Sequence, residues 1–307
     1  MIDRDDVLAA AERIRGRVHR TPTFTSATLG PEIRLKAELF QKTGSFKVRG
    51  VLNKLASLTP EEKARGVIGI SAGNHAQALA WGAAAEGVSA LVVMWRDAST
   101  AKVGATRAYG AEVDLTSRDP TEAFERLAEL EAASGRTLVH PFDDPVVLAG
   151  AGTVGLEVLE EAPETEAIVV PGGGGGLVAG IAASAPDQRV VCVEPERSDA
   201  VHAALAAGDP VPVGPESIAD GLSAPFAGRN ALELLQAHRV ESVLVSEAEL
   251  EEGFRFLYTR AKLACEPAAA VGVGAFLAGK IGGDAVTFIV SGGNVAPQTA
   301  SAILARA

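Results

Sequence analysis

Two cysteines in 307 residues, Cys192 and Cys265, are too few for a disulfide framework. Each lies in an apolar run, VVCVEP or KLACEP, and reads as a buried free thiol, which suits a reducing cytoplasm. Positive charge is also scarce. Lysine and arginine total 28 against 39 acids, a net charge of -11, so the chain has no basis for generic binding to nucleic acid or an anionic membrane. No apolar run approaches the length of a membrane span, and the N-terminal MIDRDDVLAAAERIRG is charged within its first turns, so neither anchor nor export is expected. Repeats, low-complexity tracts and linker-like breaks are missing, which predicts that any two domains are closely packed. What remains is 47% hydrophobic and 22% charged, enough to bury a large core.

Strand-like and helix-like segments alternate along that core-forming sequence. The pattern predicts helices over 3–18, 46–56, 74–86, 100–109 and 121–133, with 20–30 a loop. Strands are predicted over 33–40, 66–71, 90–95, 111–115, 137–140, 167–170, 189–193, 241–245 and 285–290. Near-continuous apolar strands between helices mean an α/β fold with parallel sheet buried on both faces, whose sites lie at the carboxyl ends of strands.

Four stretches stand out at such ends. FQKTGSFKVRG, from Phe40 to Gly50, sets Lys47 at a strand-to-helix junction, with Thr43, Gly44 and Ser45 supplying the turn and the N-cap. A lysine amine is a poor nucleophile at its free pKa, but in a crowded, partly desolvated site it can form a Schiff base with an aldehyde. An ordinary solvated lysine fits the same spacing. EAIVVPGGGGGLVAGIAA, from Glu166, puts five glycines between a strand and a small-residue helix, where bare backbone amides at a helix start make a phosphate site. No Gly-Lys-Ser/Thr follows, so it is not a nucleotide P-loop. Gly150, Gly152 and Gly155 match the dinucleotide fingerprint literally. They lack a proper preceding strand and read instead as close packing at a helix start. In ISAGNHAQ, from Ile70, first-turn amides after the SAG turn suit a carboxylate, although Asn74 could also simply cap its helix. In IVSGGN, Ser291 offers a hydroxyl at the end of a buried strand.

Together these stretches resemble the fold-type II pyridoxal phosphate enzymes, and among them the serine/threonine dehydratase and serine racemase family. RTPTFTS at Arg20, YGAEV at Tyr109, VHPFDDP at Val139, AGAGTVGLE at Ala149, CVEPE at Cys192, SIADGL at Ser217 and KLACEPAAAVGVGA at Lys262 extend the resemblance over nearly the whole chain. It implies a tryptophan synthase beta-like α/β fold with two parallel-sheet domains: a large one from 1–65 and 143–307, a small one from 66–142, and the cofactor in the cleft between them. Lys47 and Ser71 are the implied catalytic residues, Lys47 carrying pyridoxal 5'-phosphate as a Schiff base. Phe46 would pack against the ring, Asn74 would bond its hydroxyl, Ser291 would meet its nitrogen and Glu266 would lie nearby. Gly173, Gly174, Gly175 and Gly176, with the Leu177 amide, would hold the phosphate. Ser71, Asn74 and the His75 amide would receive the substrate carboxylate, and Asp220 and Gly221 would line the substrate pocket. A homodimer is usual in this family.

The implied activity is α,β-elimination from L-threonine, L-serine or a related 3-hydroxy amino acid, giving a 2-oxo acid and ammonia. A serine at the ring nitrogen cannot keep it protonated as a carboxylate would, which favours elimination over transamination. A racemase and a non-catalytic cofactor-binding protein are the alternatives. Racemases of the family have a second serine where this chain has Ala72, and a non-catalytic protein predicts loss of Lys47, Asn74 or Ser291, all of which are present. Val48-Arg49 after the lysine differs from the Asp-Arg usual in the cysteine and threonine synthase branches. Glu194 matches one ligand of the cation site seen in some relatives, but Ala200 stands at the second position with Asp199 one residue off, so the metal is open. Trp95 replaces a usual proline and bears on substrate fit. The chain stops shortly after SGGN, so no C-terminal regulatory domain is expected.

Overall fold

The computed structural model describes residues 1–306. Among them the strands are β1 (Thr23–Thr25), β2 (Arg34–Ala37), β3 (Val67–Ile70), β4 (Ala90–Trp95), β5 (Glu112–Ser117), β6 (Thr137–Leu138), β7 (Ala167–Pro171), β8 (Arg189–Pro195), β9 (Glu241–Val245) and β10 (Val286–Val290). They form two sheets, ordered β1-β2-β10-β7-β8-β9 and β5-β4-β3-β6. Every neighbouring pair runs parallel except β1 with β2. Strand β1 lies in the stretch read from sequence as a loop; three edge residues are too few to register a period.

Strands β3, β7 and β10 are buried at every residue, as expected of parallel strands covered by helices on both faces. The long helix Pro145–Glu161 is central to one layer, and its glycines set how closely its neighbours approach. A Cβ on Gly152 would stand 2.4 Å from the Gly180 carbonyl oxygen, and one on Gly150 would stand 2.7 Å from the Arg49 carbonyl oxygen. The fingerprint-like glycines therefore do serve close packing. They do so in mid-helix, not at its start, because the helix already begins at Pro145, directly after its cap Asp144.

Other elements stop short of their predicted bounds. The first helix ends at Ile14, and the strand predicted to reach residue 40 ends at Ala37, giving way to a 3-10 turn at Glu38–Phe40. That turn points Glu38 inward to meet Arg49, whose guanidinium bonds Glu38 at 2.7 and 2.8 Å and Glu157 at 2.7 and 3.0 Å. Lys36 joins them, 2.7 Å from Glu157 and 2.9 Å from Glu161. Lys36, Glu38 and Arg49 are all fully buried. Desolvation works against the charge on Arg49, but Glu38 and then Glu157 outweigh it and hold the guanidinium protonated. This ionic knot lies directly under the helix Lys47–Ser57.

Candidate active site

Strands β2, β10 and β7 are consecutive in the larger sheet, so the segments that follow them emerge side by side. These segments carry Lys47, Ser291 and the glycine run. The Phe46 N–H donates to the Ser291 carbonyl at 3.1 Å, the Gly293 N–H to the Gly44 carbonyl at 2.9 Å, and Ser45 bridges Gly292. Facing them, the segment after β3 supplies Ser71 and Asn74. All border one cavity of about 480 Å³ that also takes in Phe46, His75, Gly174, Gly176, Leu177, Asp220, Gly221 and Glu266.

Lys47 opens its helix without the expected cap. Thr43 turns with φ 60°, Ser45 is extended with its buried hydroxyl unpartnered, and Phe46 occupies the cap position with no side-chain bond. The Lys47 amine donates to the Pro141 carbonyl at 2.7 Å and sits 4.9 Å from the centre of the Phe46 ring. Desolvation pushes its pKa down to about 8, against the pull of Glu266. A solvated surface lysine is therefore excluded, and about a tenth of the amine is neutral at pH 7, far more than for an ordinary lysine.

Asn74 does not cap its helix either; Gly73 holds that position. The Asn74 amide nitrogen donates to both Glu266 oxygens at 2.8 and 3.1 Å, and its oxygen accepts from Asn294 at 2.8 Å. Asn294 also donates to the Thr43 carbonyl at 2.7 Å, tying the lysine turn to Asn74. A Cβ on Gly292 would stand 2.5 Å from Glu266, so the glycine after Ser291 is what admits this carboxyl. Burial pushes Glu266 up to about 7, helped by Asp220, while Asn74, Lys102 and Lys47 oppose it. The His75 ring points away, its Nε2–H donating to the Val139 carbonyl at 2.8 Å, and desolvation followed by Lys47 lowers its pKa to about 3. It stays neutral, with its Nδ1 buried and without a hydrogen-bond partner among the described residues.

The glycine run forms a turn whose backbone angles and close contacts favour glycine. Gly173 and Gly175 have φ of 70° and 86°, and a Cβ on Gly174 would stand 2.2 Å from the Phe142 ring. The Gly173 N–H donates to Glu194 at 3.2 Å, whereas the amides of Gly174, Gly175, Gly176 and Leu177 meet no protein acceptor among the described residues. They stand at the start of the buried helix Gly176–Ser184, where the helix dipole adds to their pull on an anion. The oxygens of Glu194 also accept from Val201 and His202, and burial pushes its pKa up to about 8. Glu194 thus braces the turn, and among the described residues no three acids, histidines or cysteines are grouped to hold a metal.

Asp220 is exposed at the cavity edge and pairs with Lys102 from the helix Thr100–Ala108. Sequence reasoning missed Lys102, Asn294 and Phe142. Lys102 looks like any exposed helical lysine, while Asn294 and Phe142 lie inside motifs whose side chains gained meaning only from their partners. Among the described residues no helix is long and apolar enough to cross a membrane.

Residues 14–292 match the protein family described as pyridoxal-phosphate dependent enzyme. An L-threonine ammonia-lyase of Thermotoga maritima is 41% identical, over 96% of this chain and 76% of that protein. A phenylserine dehydratase of Ralstonia pickettii is 38% identical, over 94% of this chain and 91% of that protein. The structure of maize serine racemase superposes with a TM-score of 0.92 at 32% identity, covering 99% of this chain and 97% of that one.

Proposed function

The chain belongs to the pyridoxal-phosphate dependent enzyme family, and from that premise we propose that it is a dehydratase converting a 3-hydroxy amino acid to a 2-oxo acid and ammonia. One observation carries the site assignment: a desolvated amine, Lys47, shares a cavity with a turn of bare amides at a helix start. The residues fit the cofactor. The amides of Gly174, Gly175, Gly176 and Leu177 would hold its phosphate, Gly173 would shape their turn, and Phe46 would face its ring. Asn74 and Ser291 would meet the polar groups on that ring, with Glu266 beside them.

Bound pyridoxal phosphate supplies an electron sink that makes the α-hydrogen of an attached amino acid acidic. Lys47 is the group placed and tuned to take that proton, because its amine is partly neutral near pH 7. Ser71 and the first-turn amides at Asn74 and His75 orient the substrate carboxylate. Ser291 offers a hydroxyl and no negative charge, so it does not hold an extra proton on the ring. Approach of the 66–142 unit, which carries Ser71 and Asn74, toward Lys47 would exclude water from the cavity. The same reading places the enzyme in the cytoplasm as a homodimer; the two buried free thiols are in keeping with a reducing compartment.

A racemase reading has less support, because Ala72 leaves no hydroxyl beside Ser71 to deliver a proton from the opposite face. The deciding assay follows 2-oxo acid and ammonia while the absolute configuration of recovered substrate is measured. Oxo acid without loss of chirality is expected; scrambled chirality without oxo acid refutes the dehydratase.

The lowered pKa of Lys47 predicts how the cofactor-free protein takes up pyridoxal phosphate. Only the neutral amine attacks an aldehyde, so the uptake rate followed by absorbance should rise about tenfold per pH unit and level off above about 8. A rate that goes on rising past pH 8 toward 10.5 would show that Lys47 is not desolvated.

A further inference from the structure

Beyond the cofactor residues the cavity is bordered by Trp95 and Phe124. We propose that its outer part selects 3-hydroxy amino acids with a bulky apolar group, above all an aromatic ring, on the β-carbon, with Trp95 and Phe124 as the specificity-determining wall. The inference rests on the dehydratase reading and names the substrate class that reading leaves open.

Beyond the residues placed around the cofactor, the cavity continues between the two sheets and is bounded by Trp95, Pro120, Phe124, Pro215 and Pro225. Phe142, packed on the glycine turn, meets Phe226 with ring centres 5.7 Å apart, and Phe226 meets Phe124 at 5.5 Å. The three rings make a continuous tilted series running from the glycine turn to the helix Pro120–Ser134. Phe226 supports Phe124 and Phe142 without bordering the cavity, and a further ring in the cavity would find Phe124, Phe142 and Trp95 beside it. Trp95 is half-buried at the end of β4, just after the pairing of β4 with β5 slips register between Val93 and Trp95. A slip of this kind re-aims the side chain that follows it.

Charge argues the same way. The acids bordering the cavity are Asp97, Asp220 and Glu266, and the lysines are Lys47 and Lys102. Lys102 is engaged by Asp220, so the outer part offers no unpaired cation, among the described residues, to a second carboxylate. An acidic β-substituent would lose its hydration and gain nothing in return. An apolar one is favoured by burial in proportion to its area.

The reaction needs no added reagent. The Cα–H and Cβ–O bonds break and water leaves; the released enamine takes up water and loses ammonia. A β-aryl serine thus yields an arylpyruvate and ammonia, with atoms and electrons balanced.

The test measures kcat/KM of the holoenzyme for L-threo-phenylserine, L-threonine, L-serine and threo-3-hydroxyaspartate. Phenylserine is expected to exceed threonine by about tenfold or more, the scale on which apolar pockets discriminate. In Phe124→Ala and, separately, Trp95→Ala, the phenylserine-to-threonine ratio should fall about tenfold while the cofactor's absorbance is retained. A ratio that is the same in both variants as in the parent overturns the wall. Preference for threonine, serine or hydroxyaspartate overturns the aromatic class and leaves the dehydratase standing. No oxo acid from any of the four, with cofactor bound, overturns both.

Discussion

Lys47→Ala yields a folded protein that has lost both the visible absorbance of bound cofactor and the release of 2-oxo acid. Two roles disappear together. The desolvated amine is suited to covalent capture of an aldehyde, whereas the cavity's other lysine, Lys102, is paired with Asp220; the Lys47 amine is also the proposed acceptor of the α-proton. Loss of a positioned base alone costs roughly 10²–10⁴-fold in rate, and loss of the covalent anchor lowers cofactor occupancy as well. Folding should survive. A buried amine whose pKa is pushed down destabilises the folded state wherever it is protonated, so the alanine gives up one bond to the Pro141 carbonyl and is relieved of that burden. The sign is definite: with a folded value near 8 against an ordinary 10.5, the penalty is complete below about pH 8 and fades as pH rises toward 10.5. Thermal unfolding at about pH 7, absorbance and turnover of parent and variant decide the matter. Oxo acid formed at the parental rate would remove Lys47 from the chemistry.

Arg49→Met is the substitution expected to cost the most stability. It leaves Glu38 fully buried without its principal partner and takes from Glu157 two of its bonds. Breaking a buried pair in this way typically costs about 3–5 kcal/mol, a fall in Tm on the order of 10 °C for a chain of this size. Because Arg49 belongs to the helix that Lys47 opens, the loss should also show at the site, as weaker retention of pyridoxal phosphate on dilution. Replacing Glu38 by glutamine in the same background should recover part of the stability, since the stranded charge goes. If Arg49→Met unfolds within about 2 °C of the parent, the knot is not a stabilising element.

Much of the site could be read in the sequence because its signals are local. Five consecutive glycines after a buried strand need an explanation wherever they occur, and the φ values of Gly173 and Gly175 supply it. The α/β alternation likewise follows from apolar period and helix-breaking residues within short windows. Where local reading failed, a distant segment had the deciding vote. The proposed cap at Ser45 lost to a bridge with Gly292, and the proposed capping role of Asn74 lost to Glu266, 192 residues away. The strand end at Ala37 moved for the same reason, because Glu38 turns inward to Arg49.

The sequence by itself thus determined most of the strands, the helices between the first six of them and where bare amides and a reactive amine are on offer, because side-chain period and turn chemistry act over a few residues. Only the tertiary structure decided that the ends of β2, β10 and β7 are neighbours, which brings Lys47, Ser291 and the glycine turn to one cavity. It alone decided that Lys36, Glu38 and Arg49 are buried together, that Lys102 answers Asp220, and that three phenylalanines line up across the cleft. Strand order, desolvation and ion pairing depend on contacts between segments far apart in the chain, and no local pattern encodes them.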